Sequence, residues 1–249
     1  MTNTNENVVW ITGASSGIGK AMAFEWARLG YKVVLSARRK ELLEEIAIEI
    51  KNVGGEALVV PVDIMDEKSI ENAVQIIIDN WGRLDVAVAN AGFGVFGSID
   101  KLTAKDWERQ LQGNVTGLAL TVKYALPHLK QNKGSIGLVG SVGAYVPNPH
   151  VGAYGASKGG LNMLTKVMTI EWAKYNIQSN TVCPTVILTP MGEMVWGKPE
   201  KGDPMKAKIP LGRFGTTTEV ADLILYLSSS ASDLVTGQDI LIDGGFTAQ

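Results

Sequence analysis

The sequence predicts an α/β protein: a single domain over residues 1–249, built on a doubly wound parallel sheet of about seven strands with helices on both faces. Three observations point to it. Short apolar runs rich in β-branched residues alternate with longer stretches of helical periodicity. Several runs are apolar at nearly every position, the pattern of strands covered on both faces. The first run passes directly into a glycine-rich turn and a helical stretch, the opening unit of a Rossmann-type sheet. No proline- or serine-rich linker and no block of like charge divides the chain.

The first strand is VVWIT (8–12), and TGASSGIGKAMAFEWARLG (12–30) follows it into a helix over about 17–29. Gly13, Gly17 and Gly19 let the backbone turn sharply and approach a pyrophosphate resting on the helix N-terminus, with Ser15, Ser16 and Ile18 in the same turn. Their spacing is Gly-x3-Gly-x-Gly, not Gly-x-Gly-x-x-Gly, and a glycine-rich turn without a ligand is the plainer alternative. The second strand is KVVLS (32–36). Ala37 stands where NAD sites place an acid, and Arg38 and Arg39 follow. An arginine here accommodates a 2′-phosphate, so NADP(H) is preferred and NAD(H) remains possible; the alternative is a solvated start to the helix over 39–53. ALVVPV (57–62) is the third strand. Asp63 after it either accepts from an adenine amino group or caps the helix over 66–81. LDVAVAN (84–90), a long helix over 104–130, SIGLVGS (135–141), a helix over 153–175, IQSNTVC (177–183), a helix over 218–229 and DILID (239–243) complete the alternation. Residues 185–217, with Pro190, Pro199, Pro204 and Pro210, read as an irregular substrate loop or lid.

Two side chains carry the chemistry. Tyr154 and Lys158 are one helical turn apart and lie side by side. An ammonium beside a phenol favours phenolate, which brings the tyrosine toward use as a proton donor and acceptor near neutral pH. Ser141 ends the fifth strand, at the sheet edge where open α/β folds bind ligands, and its hydroxyl can polarise a carbonyl oxygen.

With TGASSGIG (12–19), the Asp of PVDI (61–64), NAG (90–92), Asn114 in GNVTG, Ser141, YGASK (154–158) and the CP of CPTVILT (183–189) in order, the chain resembles a short-chain dehydrogenase/reductase over its whole length. The resemblance implies hydride transfer between nicotinamide C4 and a carbonyl or alcohol carbon, with Tyr154 moving the proton. It implies that Ser141 orients the substrate oxygen, that Lys158 lowers the Tyr154 pKa and binds the nicotinamide ribose, and that Asn114 holds a water linking Lys158 to solvent. Asn90 and Gly92 would sit over the cofactor, Pro184 and Thr185 beside it, and Thr189 on the nicotinamide amide. Two positions depart from the family pattern: Thr185 replaces the common Gly, and Ser16 stands where many NADP-preferring members carry a basic residue.

Residues 183–214 are similar to xylulose reductases and related sugar or polyol dehydrogenases, which implies a sugar, polyol or small ketone as substrate. Val142, Asn148, His150 and Val151, between Ser141 and Tyr154, are expected to face it. Met191, Met194 and Trp196 either cover the nicotinamide or pack under a surface loop, and His150 either bonds a polyol or is solvated. A 3-oxoacyl thioester is the second substrate reading; Lys198, Lys201, Lys206 and Lys208 could receive its carrier, although Glu193, Glu200 and Asp203 are interleaved. A non-enzymatic cofactor-binding protein is disfavoured, because Ser141, Tyr154, Lys158 and Asn114 are all present.

A formal net charge of −2 gives no electrostatic case for nucleic acid or an anionic membrane. The one cysteine, Cys183, excludes a disulfide within the chain and fits a reducing compartment. MTNTNENVVW lacks a signal-peptide pattern, and no apolar run approaches the ~18 residues of a membrane span, so a cytoplasmic location is expected. No metal is expected. On the 153–175 helix, Tyr154, Lys158, Leu161, Thr165, Met168 and Trp172 form one stripe. Gly155, Ala156, Gly159, Gly160, Met163, Val167 and Ile170 lie broadly opposite, so the helix is expected to be buried all round. Its glycines are read as serving close approach of a second subunit beside the 104–130 segment, giving a homo-oligomer, tetramer favoured and dimer possible.

Overall fold

The computed structural model describes residues 6–249; residues 1–5 of the N-terminal stretch read for a leader lie outside the described residues. Seven strands form one parallel sheet in the order β3-β2-β1-β4-β5-β6-β7. They are β1 (Val8–Thr12), β2 (Lys32–Ser36), β3 (Glu56–Val59), β4 (Val86–Ala89), β5 (Ser135–Val139), β6 (Gln178–Pro184) and β7 (Asp239–Ile242). The helices are α1 (Gly17–Arg28), α2 (Lys40–Asn52), α3 (Glu67–Trp81), α4 (Ala104–Leu111), α5 (Gly117–Asn132), α6 (Gly152–Trp172), α7 (Pro190–Trp196), α8 (Pro199–Lys206) and α9 (Thr217–Leu227).

Strand alternation sorts the core into two layers. Val8 and Trp10 join Ile70, Leu118 and Leu161 from α3, α5 and α6 on one face. Val9 and Ile11 join Met22, Trp26, Leu43 and Ile224 from α1, α2 and α9 on the other. All five β1 residues are buried, as the unbroken apolar run predicts. The chain moves outward from β1 in both directions, toward β2 and toward β4. The carboxyl ends of β1 and β4 therefore flank the switch-point crevice where such sheets bind ligands.

Three sequence expectations change. The 104–130 helix is divided by a π-helical turn, Gln112–Thr116. A Cβ on Gly113 would meet the Phe93 ring at 2.4 Å and one on Gly117 the Ile64 carbonyl oxygen at 2.3 Å, so glycine lets two neighbouring loops approach the helix closely at this turn. The 185–217 stretch is not irregular throughout, since α7 and α8 each begin with a proline, at the position whose N–H has no intrahelical partner anyway. Finally, α6 is not buried all round: Met163, Val167 and Ile170 are 62%, 41% and 83% exposed. Its glycines also divide. A Cβ on Gly155 would lie 2.9 Å from the Gly143 carbonyl oxygen, one on Gly152 2.9 Å from Ile99 Cγ1, and one on Gly160 3.5 Å from Val115 Cγ2. Only Gly159 of the four faces open space, so Gly155 serves packing within the chain.

Candidate active site

The site begins at the glycine turn. Gly13 and Gly17 have φ of +73° and +57°, a region side chains resist. A Cβ on Gly19 would stand 2.2 Å from the Gly13 carbonyl oxygen. Ser16 precedes α1 but makes no side-chain cap bond, leaving the first N–H groups of the helix for a ligand. Asn90 Nδ2 donates to the carbonyls of Thr12 (2.8 Å) and Gly13 (3.4 Å). Thr12 Oγ1 in turn accepts from the Asn90 and Ala91 N–H groups, each at 3.2 Å. The side chain of Asn90 thus fixes the turn, tying β1 to β4. Thr189 lies above it: a Cβ on Gly17 would be 2.9 Å from Thr189 Cγ2. Thr189 Oγ1 accepts from Gly192 N at 3.2 Å and caps α7.

At the other edge, Trp10 Nε1 donates to Ser36 Oγ (2.8 Å), which donates to the Val60 carbonyl (2.7 Å). This buried chain across β1, β2 and the end of β3 sets the end of β2, from which Arg38 and Arg39 extend. Both arginines are exposed on the cleft, and Arg39 Nη2 donates to Ser15 Oγ at 3.2 Å. Asp63 lines the cleft with one carboxylate oxygen accepting from Met65 N at 3.0 Å, while Asp66 takes the cap of α3.

At the chemical end, Ser141 Oγ accepts from Gly143 N at 3.0 Å, which leaves its proton free to donate. Tyr154 is packed beside it. Burial raises the Tyr154 pKa, and a hydrogen bond from Ser141 opposes the rise. Lys158 is buried, its Nζ donates to the Val139 carbonyl at 2.7 Å and stands 5.8 Å from the Tyr154 ring centroid. Burial pushes its pKa down to about 8. The phenol is therefore raised here, not lowered as expected, because desolvation acts on it directly while the ammonium is turned to a carbonyl. Asn114 is buried in the π-helical turn with its amide fully engaged. Oδ1 accepts from Phe93 N (3.1 Å), and Nδ2 donates to the Phe93 carbonyl (2.9 Å) and Ser157 Oγ (3.3 Å). Its side chain ties the loop after β4 to α6.

The residues selected from the sequence for catalysis, cofactor and substrate line one cleft of about 810 Å³, Asn114 excepted. They include Gly92, Pro184, Thr185, Val142, Asn148, His150, Val151, Met191 and Trp196. Met194 points away, 75% exposed. Several lining residues escaped the sequence reading, Phe93, Phe96, Met205 and Phe246, whereas Lys201, read above as a contact for an acyl carrier, lines the cleft as well. Gln110 escaped too; it is buried, with Nε2 donating to the Phe93 carbonyl (3.0 Å) and Oε1 accepting from Val95 N (2.6 Å). Thr185 Oγ1 is buried without a partner at the cleft wall. The glycine cradle, the free helix N-terminus and this orphaned hydroxyl fit a dinucleotide along the cleft.

A doubly wound sheet with a phosphate cradle at its switch point and a Ser–Tyr–Lys set at its carboxyl edge defines a dinucleotide-dependent oxidoreductase. Residues 13–247 match the family model described as enoyl-(acyl carrier protein) reductase. The chain is 38% identical to a 3-oxoacyl-(acyl-carrier-protein) reductase of Thermotoga maritima over 96% of both chains. It is 35% identical to an NAD-dependent glycerol dehydrogenase of Listeria innocua, over 98% of this chain and 95% of that one. The crystal structure of a short-chain type dehydrogenase/reductase from Mycobacterium marinum superposes with a TM-score of 0.92 at 34% identity, covering 98% of this chain and 96% of that one. The chain belongs to the short-chain dehydrogenase/reductase family. It is an NAD(P)-dependent oxidoreductase acting on CH–OH groups and the corresponding carbonyls.

Proposed function

We propose that this enzyme is an NADP(H)-preferring reductase of a sugar, polyol or small ketone, with Tyr154 as the proton donor. The observation that carries the reading is the half-buried Tyr154 beside Ser141, one helical turn from the buried Lys158, on the cleft wall. A phenol held above its ordinary value is protonated at neutral pH and ready to give its proton to a carbonyl oxygen. Ser141 donates to the same oxygen, and Lys158 stabilises the negative charge left on Tyr154 Oη. The bound nicotinamide supplies or accepts the hydride. Arg38 and Arg39 supply the cations for a 2′-phosphate. The 185–217 segment acts as lid over this site. With Tyr154→Phe, kcat for carbonyl reduction is expected to fall ~100-fold or more while NADPH binding persists; unchanged turnover would remove the assigned mechanism.

The relationship to a 3-oxoacyl-(acyl-carrier-protein) reductase and the placement of Lys201 on the cleft support a second reading, a 3-oxoacyl thioester reductase. An acetoacetyl thioester in the same turnover assay decides between them. No helix among the described residues is long and apolar enough to cross a membrane, and the single thiol supports a cytoplasmic location. The exposed Met163, Val167 and Ile170 support assembly into a homo-oligomer, tetramer favoured.

A further inference from the structure

The cleft beyond Ser141 and Tyr154 has walls from separate parts of the chain. Phe96 comes from the loop after β4, Val142 from the turn after β5, Met191 and Trp196 from α7, Met205 from α8 and Phe246 from the segment after β7. Val142, Met205 and Phe246 belong to one buried cluster with Ile209 and Phe214, so these walls are anchored from behind. Phe96 stands next to the proton donor, its ring centroid 5.9 Å from that of Tyr154 at 54°, a tilted aromatic pair. The loop carrying it is fixed on both sides. Gln110 holds Phe93 and Val95, and Gly97 N donates to the His150 carbonyl at 2.8 Å. Gly94 leaves room for the ring, since a Cβ there would lie 2.2 Å from Phe96 Cζ. A phenylalanine held 42% exposed by this much local structure is placed for contact with something that enters the cleft.

Apart from the Thr185 hydroxyl, read above with the cofactor, the remaining polar side chains at this end, Asn148, His150 and Lys201, are exposed. A polyhydroxylated compound would bring several hydroxyls out of water against rings and thioethers that cannot bond them. An apolar body would displace water from the same walls.

We infer that the acceptor is an uncharged ketone with an apolar ring or branched hydrocarbon body, and that Phe96 selects for it. This narrows the small-ketone part of the reading above and rests on it. The test measures NADPH-dependent kcat/KM for a cyclic ketone, a branched aliphatic ketone and a polyhydroxylated ketone of equal carbon number. Calorimetric binding of the matching alcohols to the NADP⁺ complex is measured beside it. The apolar ketones are expected to exceed the polyhydroxylated one by ~100-fold or more. Phe96→Asn is expected to lower kcat/KM for the cyclic ketone ~10- to 100-fold through KM, and Phe96→Leu to restore most of it. NADPH affinity reports in each variant whether the site is folded. Equal or better turnover of the polyhydroxylated ketone overturns the acceptor class and leaves the reductase assignment standing. Tight binding of the apolar alcohol without turnover upholds the acceptor class and removes the reductase assignment. A cyclic-ketone KM unmoved in both folded variants overturns the role of Phe96.

Discussion

Lys158 is a buried ammonium whose carbonyl partner does not fully offset its loss of water, so its pKa falls to about 8 from 10.5. The folded value lies below the unfolded one. The unfolded chain therefore holds more protons between those values, and this group's contribution to stability rises with pH across about pH 8 to 10.5. Below about pH 8 the whole penalty is present, roughly 3 kcal/mol. Lys158→Met removes the penalty but leaves the Val139 carbonyl without its donor, so inactivation should come with only a small stability change at pH 7. Denaturant unfolding at pH 7 and pH 9 is expected to show the wild type gaining about 1 kcal/mol on the variant; parallel behaviour at the two pH values would show that the lysine is not held this way. Arg38 belongs to the same scale. Its guanidinium reaches the cleft edge with no acid at position 37 to favour a bare ribose. Arg38→Ala should weaken NADPH binding ~10- to 100-fold and NADH binding little. Fluorescence titration of both cofactors checks this, and equal losses would show no 2′-phosphate contact.

At the scale of elements, what was legible in the sequence was what local chemistry determines. The Gly13-Gly17-Gly19 turn could be read because left-handed backbone and close approach need glycine whatever surrounds them. The β1 run could be read because two-sided burial leaves its own pattern. Arg38 and Arg39 stood out as residue types at a strand end. The π-helical turn at Gln112–Thr116 was not legible. It lies where Phe93 closely approaches Gly113 and Ile64 closely approaches Gly117, pairs remote in the chain that meet only through folding. The same holds for the Trp10–Ser36–Val60 chain, whose members are apolar or ordinary in sequence and meet only across three strands. Gln110 shows the same gap in a single side chain. It looks like a surface residue of a polar helix, yet it is wholly buried and supplies a donor and an acceptor to the loop that carries Phe93 and Phe96. Gln110→Leu leaves the Val95 N–H unpaired and the Phe93 carbonyl with only its bond from Asn114 Nδ2, at about 1–3 kcal/mol in stability. The loop should then report the loss in its own way, as a raised KM for the carbonyl substrate with NADPH affinity kept. A variant with wild-type stability and KM would show that other contacts hold the loop.

At the scale of the molecule, one face of α6 has no partner among the described residues of the single chain. Its inner stripe is occupied: Lys158, Leu161, Thr165 and Met168 are buried against the sheet. Its outer stripe, Met163, Val167 and Ile170, is apolar and faces solvent, and a Cβ added to Gly159 on the same side would have nothing within 4 Å. Scattered exposed apolar residues are ordinary, but a stripe at i, i+4 and i+7 spacing on one helix presents a continuous surface. A two-fold related copy of the same helix would cover it with an identical stripe, the self-complementary arrangement of an isologous interface. The interface and the chemistry then share one helix, so assembly would also hold the segment that carries Tyr154 and Lys158. Ile170→Glu places a charge in the middle of such a contact, while in a lone chain it alters a side chain that is 83% exposed. The variant is therefore expected to shift sedimentation toward smaller species and to leave the fold of the separated chain intact by circular dichroism. An unchanged sedimentation profile would mean that this stripe is not where copies of the chain meet.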